Sequence, residues 1–334
     1  MHNVIITAIG ALLLVSCSAK QQKNTDEIGN NGFSVQTEEA TANSVSFSAD
    51  SAYAYLKKQV DFGPRVPNTE AHRLTADWLS GELKRHGAEV TEQRTDITAF
   101  DGTVLHARNI FGQFNPDATD RTLLLAHYDC RPWADEDPDP EKRKLPVDGA
   151  NDGASGVAVL LEVARQLSTL STDKGIDILF VDAEDWGTEG DDESWAMGTR
   201  YFANNPIKPG YAPSRAILLD MVGGKGAQFP VEYFSQQNAP ALVSQLWNSA
   251  KRLGYGAMFP QVIGSAVTDD HIELIKAGIP AVDIIEYHPN EGFNPHWHTS
   301  TDNIDNIDPH TLKAVGETVM DVLVRSEERV VSRE

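Results

Sequence analysis

The chain has 334 residues, 40% of them apolar, enough for one large packed domain or two ordinary ones. Its 28 Lys and Arg against 49 Asp and Glu leave a formal charge of −21, which argues against a nucleic-acid backbone as partner. Two cysteines, Cys17 and Cys130, exclude a disulfide-stapled scaffold, and no apolar run reaches membrane-spanning length.

Val4 to Ser16 is an apolar stretch that ends at Cys17. It is too short to cross a bilayer and has the form of a signal-peptide core. Leu14-Val15-Ser16-Cys17 resembles a bacterial lipobox, in which Cys17 becomes the lipidated first residue. Residues 1–16 are therefore expected to be a lipoprotein signal peptide, residues 17–48 a polar flexible tether, and residues 49–334 a single folded domain. On this reading the protein is exported and anchored to a bacterial membrane through acyl chains on Cys17, facing the periplasm or the cell surface. Cys130 is then the one thiol left, expected as a small buried hydrophobe.

In the folded part, Asn68 is placed to cap a helix running to Arg85, with Leu74, Trp78 and Leu83 on one face and Gly87 as its stop. Val90–Thr98 and His106–Phe114 read as edge-type strands. Four apolar runs, Thr122–Ala126, Ile176–Val181, Ala216–Leu219 and Ala281–Ile285, read as buried parallel strands. Helical patterns cover Val157–Leu167, Ala239–Leu253 and His271–Ala277, and a last helix follows Pro309 to about Val330. Strands alternating with helices predict an α/β three-layer sandwich, a central mixed but mostly parallel sheet flanked by helices.

In open α/β sheets, ligands bind beyond the carboxyl ends of the strands. Each apolar run here ends in residues able to bind metal or move protons. His127 follows the first; Asp182, Glu184 and Asp185 follow the second; Asp220 and Met221 follow the third. Glu286, Tyr287 and His288 follow the fourth, with His298 soon after, and Asp152 precedes a helix. Each has an ordinary explanation alone: Asp152 as a helix cap, His127 as a core histidine, Glu184-Asp185 as a solvated loop, Asp220 as a turn residue. Together they make a donor set that suits Zn²⁺. The acidic runs 135–141 and 189–193 read as solvated loop charge.

Five ordered motifs resemble the co-catalytic zinc aminopeptidase fold: HYD at 127–129, NDGASG at 151–156, DAED at 182–185, LLDMVG at 218–223 and WHT at 297–299. GPRVPNTEAH at 63–72, TDDH at 268–271 and FNPHWHT at 293–299 narrow the resemblance to the bacterial zinc-dependent glutaminyl-peptide cyclotransferases. The resemblance implies one zinc per chain, held by Asp152, Asp185 and His298, with Asp at 185 where animal members commonly have Glu. It puts the proton-transfer residue at Glu184, a hydrogen-bonded acid pair at Asp220 and Asp269, and pocket walls at Trp195, Phe293 and Trp297. Trp186 is the other candidate for the first wall. The implied substrates are peptides and proteins with N-terminal glutamine, closed to pyroglutamate with loss of ammonia. Two rivals share the fold. One is a two-zinc aminopeptidase with His127 and Asp220 as second-metal ligands. The other is a non-catalytic binding lipoprotein, against which an intact Glu184 argues.

Overall fold

The computed structural model describes residues 46–170, 172–288 and 291–331. The signal-peptide and lipid-anchor expectations, and the tether through residue 45, lie outside the described residues. The last residues assigned to the tether belong to the packed body. Phe47 is buried, its ring against Gly316, and Ser48 Oγ accepts from Ser51 N to cap a helix α1 over Ala49–Val60.

Six strands are hydrogen-bonded in the order β1-β2-β4-β3-β5-β6. They are β1 (Glu89–Thr98), β2 (Val104–Phe114), β3 (Arg121–His127), β4 (Gly175–Val181), β5 (Arg215–Asp220) and β6 (Ala281–Ile285). β1, β2 and β4 pair antiparallel; β4, β3, β5 and β6 pair parallel. The parallel strands are buried on both faces, which is why they read as continuous apolar runs. Their residues alternate between two layers. Leu124, Ala126, Ile178, Phe180, Ile217 and Ile284 join the core under α1, α3 (Ala154–Leu167) and α8 (Pro309–Val331). Leu123, Leu125, Leu179, Ala216 and Leu218 face the layer carrying α4 (Met197–Asn204) and α7 (Asp270–Lys276). The first layer is completed by α2 (Glu70–Arg85) and α6 (Pro240–Arg252), and the short α5 (Tyr233–Asn238) packs against β6.

After β3 the chain crosses through α3 to β4 on one side, while β5 lies on the other side of β3. The carboxyl ends of β3 and β5 therefore flank a topological switch point, where ligands gather in such sheets. At Gly156 α3 meets β5 so closely that a Cβ would overlap the Leu219 carbonyl.

Three local expectations need correction. β2 is an interior strand, not an edge, because its polar residues are satisfied within the sheet and against α2. Arg108 pairs with Asp77 and Glu92, and Gln113 donates to Asp177. The cap of α2 is Thr69, whose Oγ1 accepts from His72 N. Asn68, at φ 72°, instead ties the turn to β2 through His106 N and the Val104 carbonyl. The helices α1, α4 and α5 were not anticipated.

Candidate metal centre

Ligand atoms of Asp152, Asp185 and His298 all lie within 4.8 Å of one another. His298 Nε2 is 3.2 Å from Asp185 Oδ1 and 3.5 Å from Asp152 Oδ2. Asp185 is 1% exposed, yet neither of its carboxylate oxygens has a hydrogen-bond partner. Burying an unpaired carboxylate is costly unless a cation or proton meets it. Two carboxylates and one imidazole nitrogen form the kind of donor set that zinc takes, so these residues fit the ion.

A second set overlaps the first. His127 Nε2 lies 2.9 Å from Asp152 Oδ1 and 3.2 Å from Asp220 Oδ1, and the three residues meet the same proximity test. Asp152 belongs to both sets, one oxygen toward each.

The backbone around these residues is held from a distance. Asp152 is not a helix cap: the N-cap of α3 is Gly153, at φ 92°, with no side-chain cap bond. Buried Asp302 accepts from the amides of Asn151 and Asp152, at 2.7 and 3.1 Å. Buried Asp129 accepts from the amides of Glu184 and Asp185, each at 3.2 Å. Arg65, from the GPRVPNTEAH segment, donates to the carbonyls of Tyr128, Asp148 and Gly149 and so braces the turn before Asp152. Three non-glycine residues at or beside the site take left-handed φ: Ala183 at 55°, Met221 at 48° and His298 at 52°. Such conformations persist where the surroundings impose them, and they cluster at functional sites.

Glu184 is buried beside Asp185, with Oε2 4.0 Å from His127 Nδ1. Burial drives its carboxyl well above the usual range; His127 opposes this, and Asp185, Asp269 and Asp270 reinforce it. A cation on the neighbouring set would draw it back down. Asp269 caps α7 by accepting from its neighbour's amide at 2.5 Å, and its Oδ2 has no partner. Burial, then the charge of Asp220, pushes Asp269 up to about 7; burial also raises Asp220, against the pull of His127. The two acids are thus electrostatically coupled, each disfavouring the charge of the other.

Trp195 stacks over His298 with ring centres 6.0 Å apart, and Trp297 covers the same ring at 3.7 Å. Phe293 packs on Trp297 at 4.7 Å, and both rest on Met221, Val267 and Ile285. Trp186 turns the other way, against Ala99, Leu105 and Met197, with Nε1 donating to Asp101.

Some rim residues read from sequence serve the scaffold. Asp182 accepts from Tyr128 Oη and the amides of Arg108 and Ala183, and His72 Nε2 is 2.8 Å away. Glu286 accepts from Asn151 and Asn294 and pairs with His288, at 2.9 Å. Cys130 is buried, its thiol pushed up to about 12 by burial and donating to the Val147 carbonyl. The run 135–141 is not merely solvated charge: Asp135 takes two bonds from Arg131, and buried Asp137 accepts from Ser300 N at 2.9 Å and from Ser300 Oγ. Sequence reasoning missed Asp129, Asp137 and Asp302 because their partners lie in distant segments, 163 residues away in the Asp137–Ser300 case; the Asp135–Arg131 pair is local, four residues apart. The run 189–193 stays at the surface.

Overlapping carboxylate–imidazole sets at the switch point of a mostly parallel sheet define a divalent-metal protein of the α/β sandwich class. Residues 109–323 match the family described as Peptidase family M28, and the chain belongs to that family. The glutaminyl cyclase of Porphyromonas gingivalis is 51% identical, covers 84% of this chain and 99% of its own, and superposes with a TM-score of 0.83. The glutaminyl cyclase of Bacteroides thetaiotaomicron, solved with N-acetylhistamine bound, is 48% identical, with 84% and 98% covered and a TM-score of 0.83. The aminopeptidase YwaD of Bacillus subtilis is 25% identical over 293 residues, which is 84% of this chain and 58% of that protein. The chain thus spans less than two thirds of that aminopeptidase's length.

Proposed function

We propose that the protein is a zinc-dependent glutaminyl-peptide cyclotransferase, converting N-terminal glutamine of peptides and proteins to pyroglutamate with release of ammonia. One observation carries the reading: Asp185, buried with both carboxylate oxygens unpartnered, faces His298 and Asp152 while Glu184 stands beside it. The kinship to bacterial glutaminyl cyclases supports the same chemistry.

One zinc ion is proposed, held by Asp152, Asp185 and His298. When bound, it supplies a Lewis-acid centre for the substrate's side-chain amide oxygen. The chain's own residues do the rest. The substrate's α-amine attacks its side-chain amide carbon, a carbon–nitrogen bond forms, and the amide nitrogen leaves as ammonia. Glu184, its proton affinity raised by burial, takes a proton from the attacking amine and returns one to the leaving nitrogen. Asp220 and Asp269, sharing a proton, orient the amine. Trp195, Trp297 and Phe293 fit a small side chain, keep water out and hold the near-attack conformer.

The rival is hydrolysis by a two-metal aminopeptidase, favoured by the second set at His127, Asp152 and Asp220. There the His127 imidazole is 3.2 Å from Asp220 and 2.9 Å from Asp152. The experiment is an assay of purified protein on a glutamine-initiated dipeptide, with and without chelator, reading ammonia, free amino acid and bound zinc. Cyclisation gives one ammonia per turnover, no free amino acid and one zinc per chain. Free amino acid with two zinc ions would overturn the proposal.

The cellular setting is part of the proposal. The packed body, from Phe47 onward, forms one catalytic domain, and acyl chains on Cys17 hold it to a bacterial membrane. Among the described residues no helix is long and apolar enough to cross one. Globomycin-sensitive processing and acyl labelling at Cys17 test the anchor.

A further inference from the structure

We propose that Asp135 is a positioning residue for the metal, acting on His298 directly and on Asp185 through Arg131. The inference rests on the zinc reading above and concerns residues to which that reading gives no role.

Asp135 and Glu136 grip His298 at two points. Asp135 Oδ1 is 3.6 Å from His298 Nδ1, and the Glu136 amide donates to the His298 carbonyl at 3.1 Å. The opposite ring nitrogen, Nε2, faces Asp185 and Asp152. A metal-facing nitrogen must offer a lone pair, so the ring proton belongs on Nδ1, and a carboxylate on that side favours this tautomer. At 3.6 Å the contact acts through charge rather than as a formed hydrogen bond. The backbone grip matters as well, because His298 is held at φ 52°, a conformation its own chain does not favour.

The same carboxylate balances a buried cation. Arg131 is 2% exposed and donates to Asp135 through Nε at 3.0 Å and Nη2 at 2.5 Å. Its Nη1 donates to the carbonyls of Asp185 and Gly187, and lies 3.7 Å from Asp185 Oδ1. Its guanidinium also lies 4.7 Å from the centre of the Trp195 ring. One guanidinium thus fastens the backbone of a ligand and touches a pocket wall. Without Asp135 that cation would be left with Asp185 as its nearest counter-charge and would compete with the metal for it. Asp135 therefore relieves the competition of Arg131 for Asp185 and sets the ring at His298.

The test is zinc affinity by chelator competition, run on the parent, Asp135→Asn and Asp135→Ser, with the melting temperature of each apoprotein and the visible spectrum of each cobalt form. The expected result for a folded variant is zinc bound about 10- to 100-fold more weakly. The apo melting temperature should stay near that of the parent, and the cobalt bands should shift. Parent-like affinity in either folded variant overturns the proposal, as does collapse of the apo fold in both. If the parent itself binds no zinc, the zinc reading fails with it; if only the variants match the parent, that reading stands and this one falls.

Discussion

Asp152 stands between two triads built of the same residue types, and the two differ in what their polar atoms are doing. In the triad with Asp185 and His298, buried carboxylate oxygens are left without hydrogen bonds. In the triad with His127 and Asp220, one imidazole nitrogen lies within 3.2 Å of a carboxylate oxygen on either side. A third grouping, Asp269, His271 and Asp283, mixes the two patterns: His271 Nε2 is paired with Glu232 at 3.2 Å, but Asp269 Oδ2 and both oxygens of Asp283 have no partner. Unspent acceptor capacity, which burial makes expensive, separates the first triad from the second; what separates it from the third is its place beyond the carboxyl ends of the strands, whereas Asp283 lies within β6.

The comparison breaks most readily at His298. His298→Ala should leave a folded protein that retains no zinc on gel filtration and has no turnover above background; zinc retained at parental stoichiometry would dissolve the distinction between the triads. Next in size is Glu184→Gln. Turnover should fall by about 10²- to 10⁴-fold with zinc content unchanged, measured by steady-state ammonia release and metal analysis. A loss of zinc in that variant would make Glu184 a ligand rather than a proton carrier.

The third prediction concerns Glu232. Burial would raise its carboxyl, but the bonds from His271 and from the amides of Phe234 and Ser235 outweigh this and lower it to about 2. A depressed carboxyl stabilises the fold fully above its unfolded value of 4.5 and loses that contribution as the pH falls toward 2. Glu232→Gln should therefore cost about 3 kcal/mol at pH 7, and the gap from the parent should close on acidification below about pH 4.5, read by denaturant unfolding of both apoproteins. A gap independent of pH would mean that shape, not charge, matters there. The smallest effect is expected from His127→Gln, which should leave zinc content at one per chain; a fall from two to one would instead reveal a second ion.

The four parallel strands were legible because both their faces are buried, so composition alone marks them. Their polar ends were legible because a sheet of this kind exposes those ends to ligands. β2 was misread as an edge, since Arg108, Asn109 and Gln113 look like solvent-facing residues until their partners in β1, α2 and β4 are seen. α1 hides behind the polar segment before it, with few buried side chains: Ala52, Leu56 and Gln59. α4 opens after Ala196 at φ 53° with no side-chain cap, so it lacks an entry signal. At the site, the ligand-type residues could be picked out and the acids that brace them could not. Asp129 and Asp302 work through main-chain amides and Asp135 faces an imidazole in a distant segment, none of which leaves a spacing in the sequence; only the Arg131–Asp135 pair, four residues apart, does.

Gly156 sets how closely α3 approaches β5. Because no side chain separates α3 from the Leu219 carbonyl, the gap between Asp152, just ahead of that helix, and Asp220, the last residue of β5, is gauged by main chain against main chain. A methyl group at 156 would therefore wedge helix from strand and shift Asp152 against Asp220 while leaving every side chain of the metal set present.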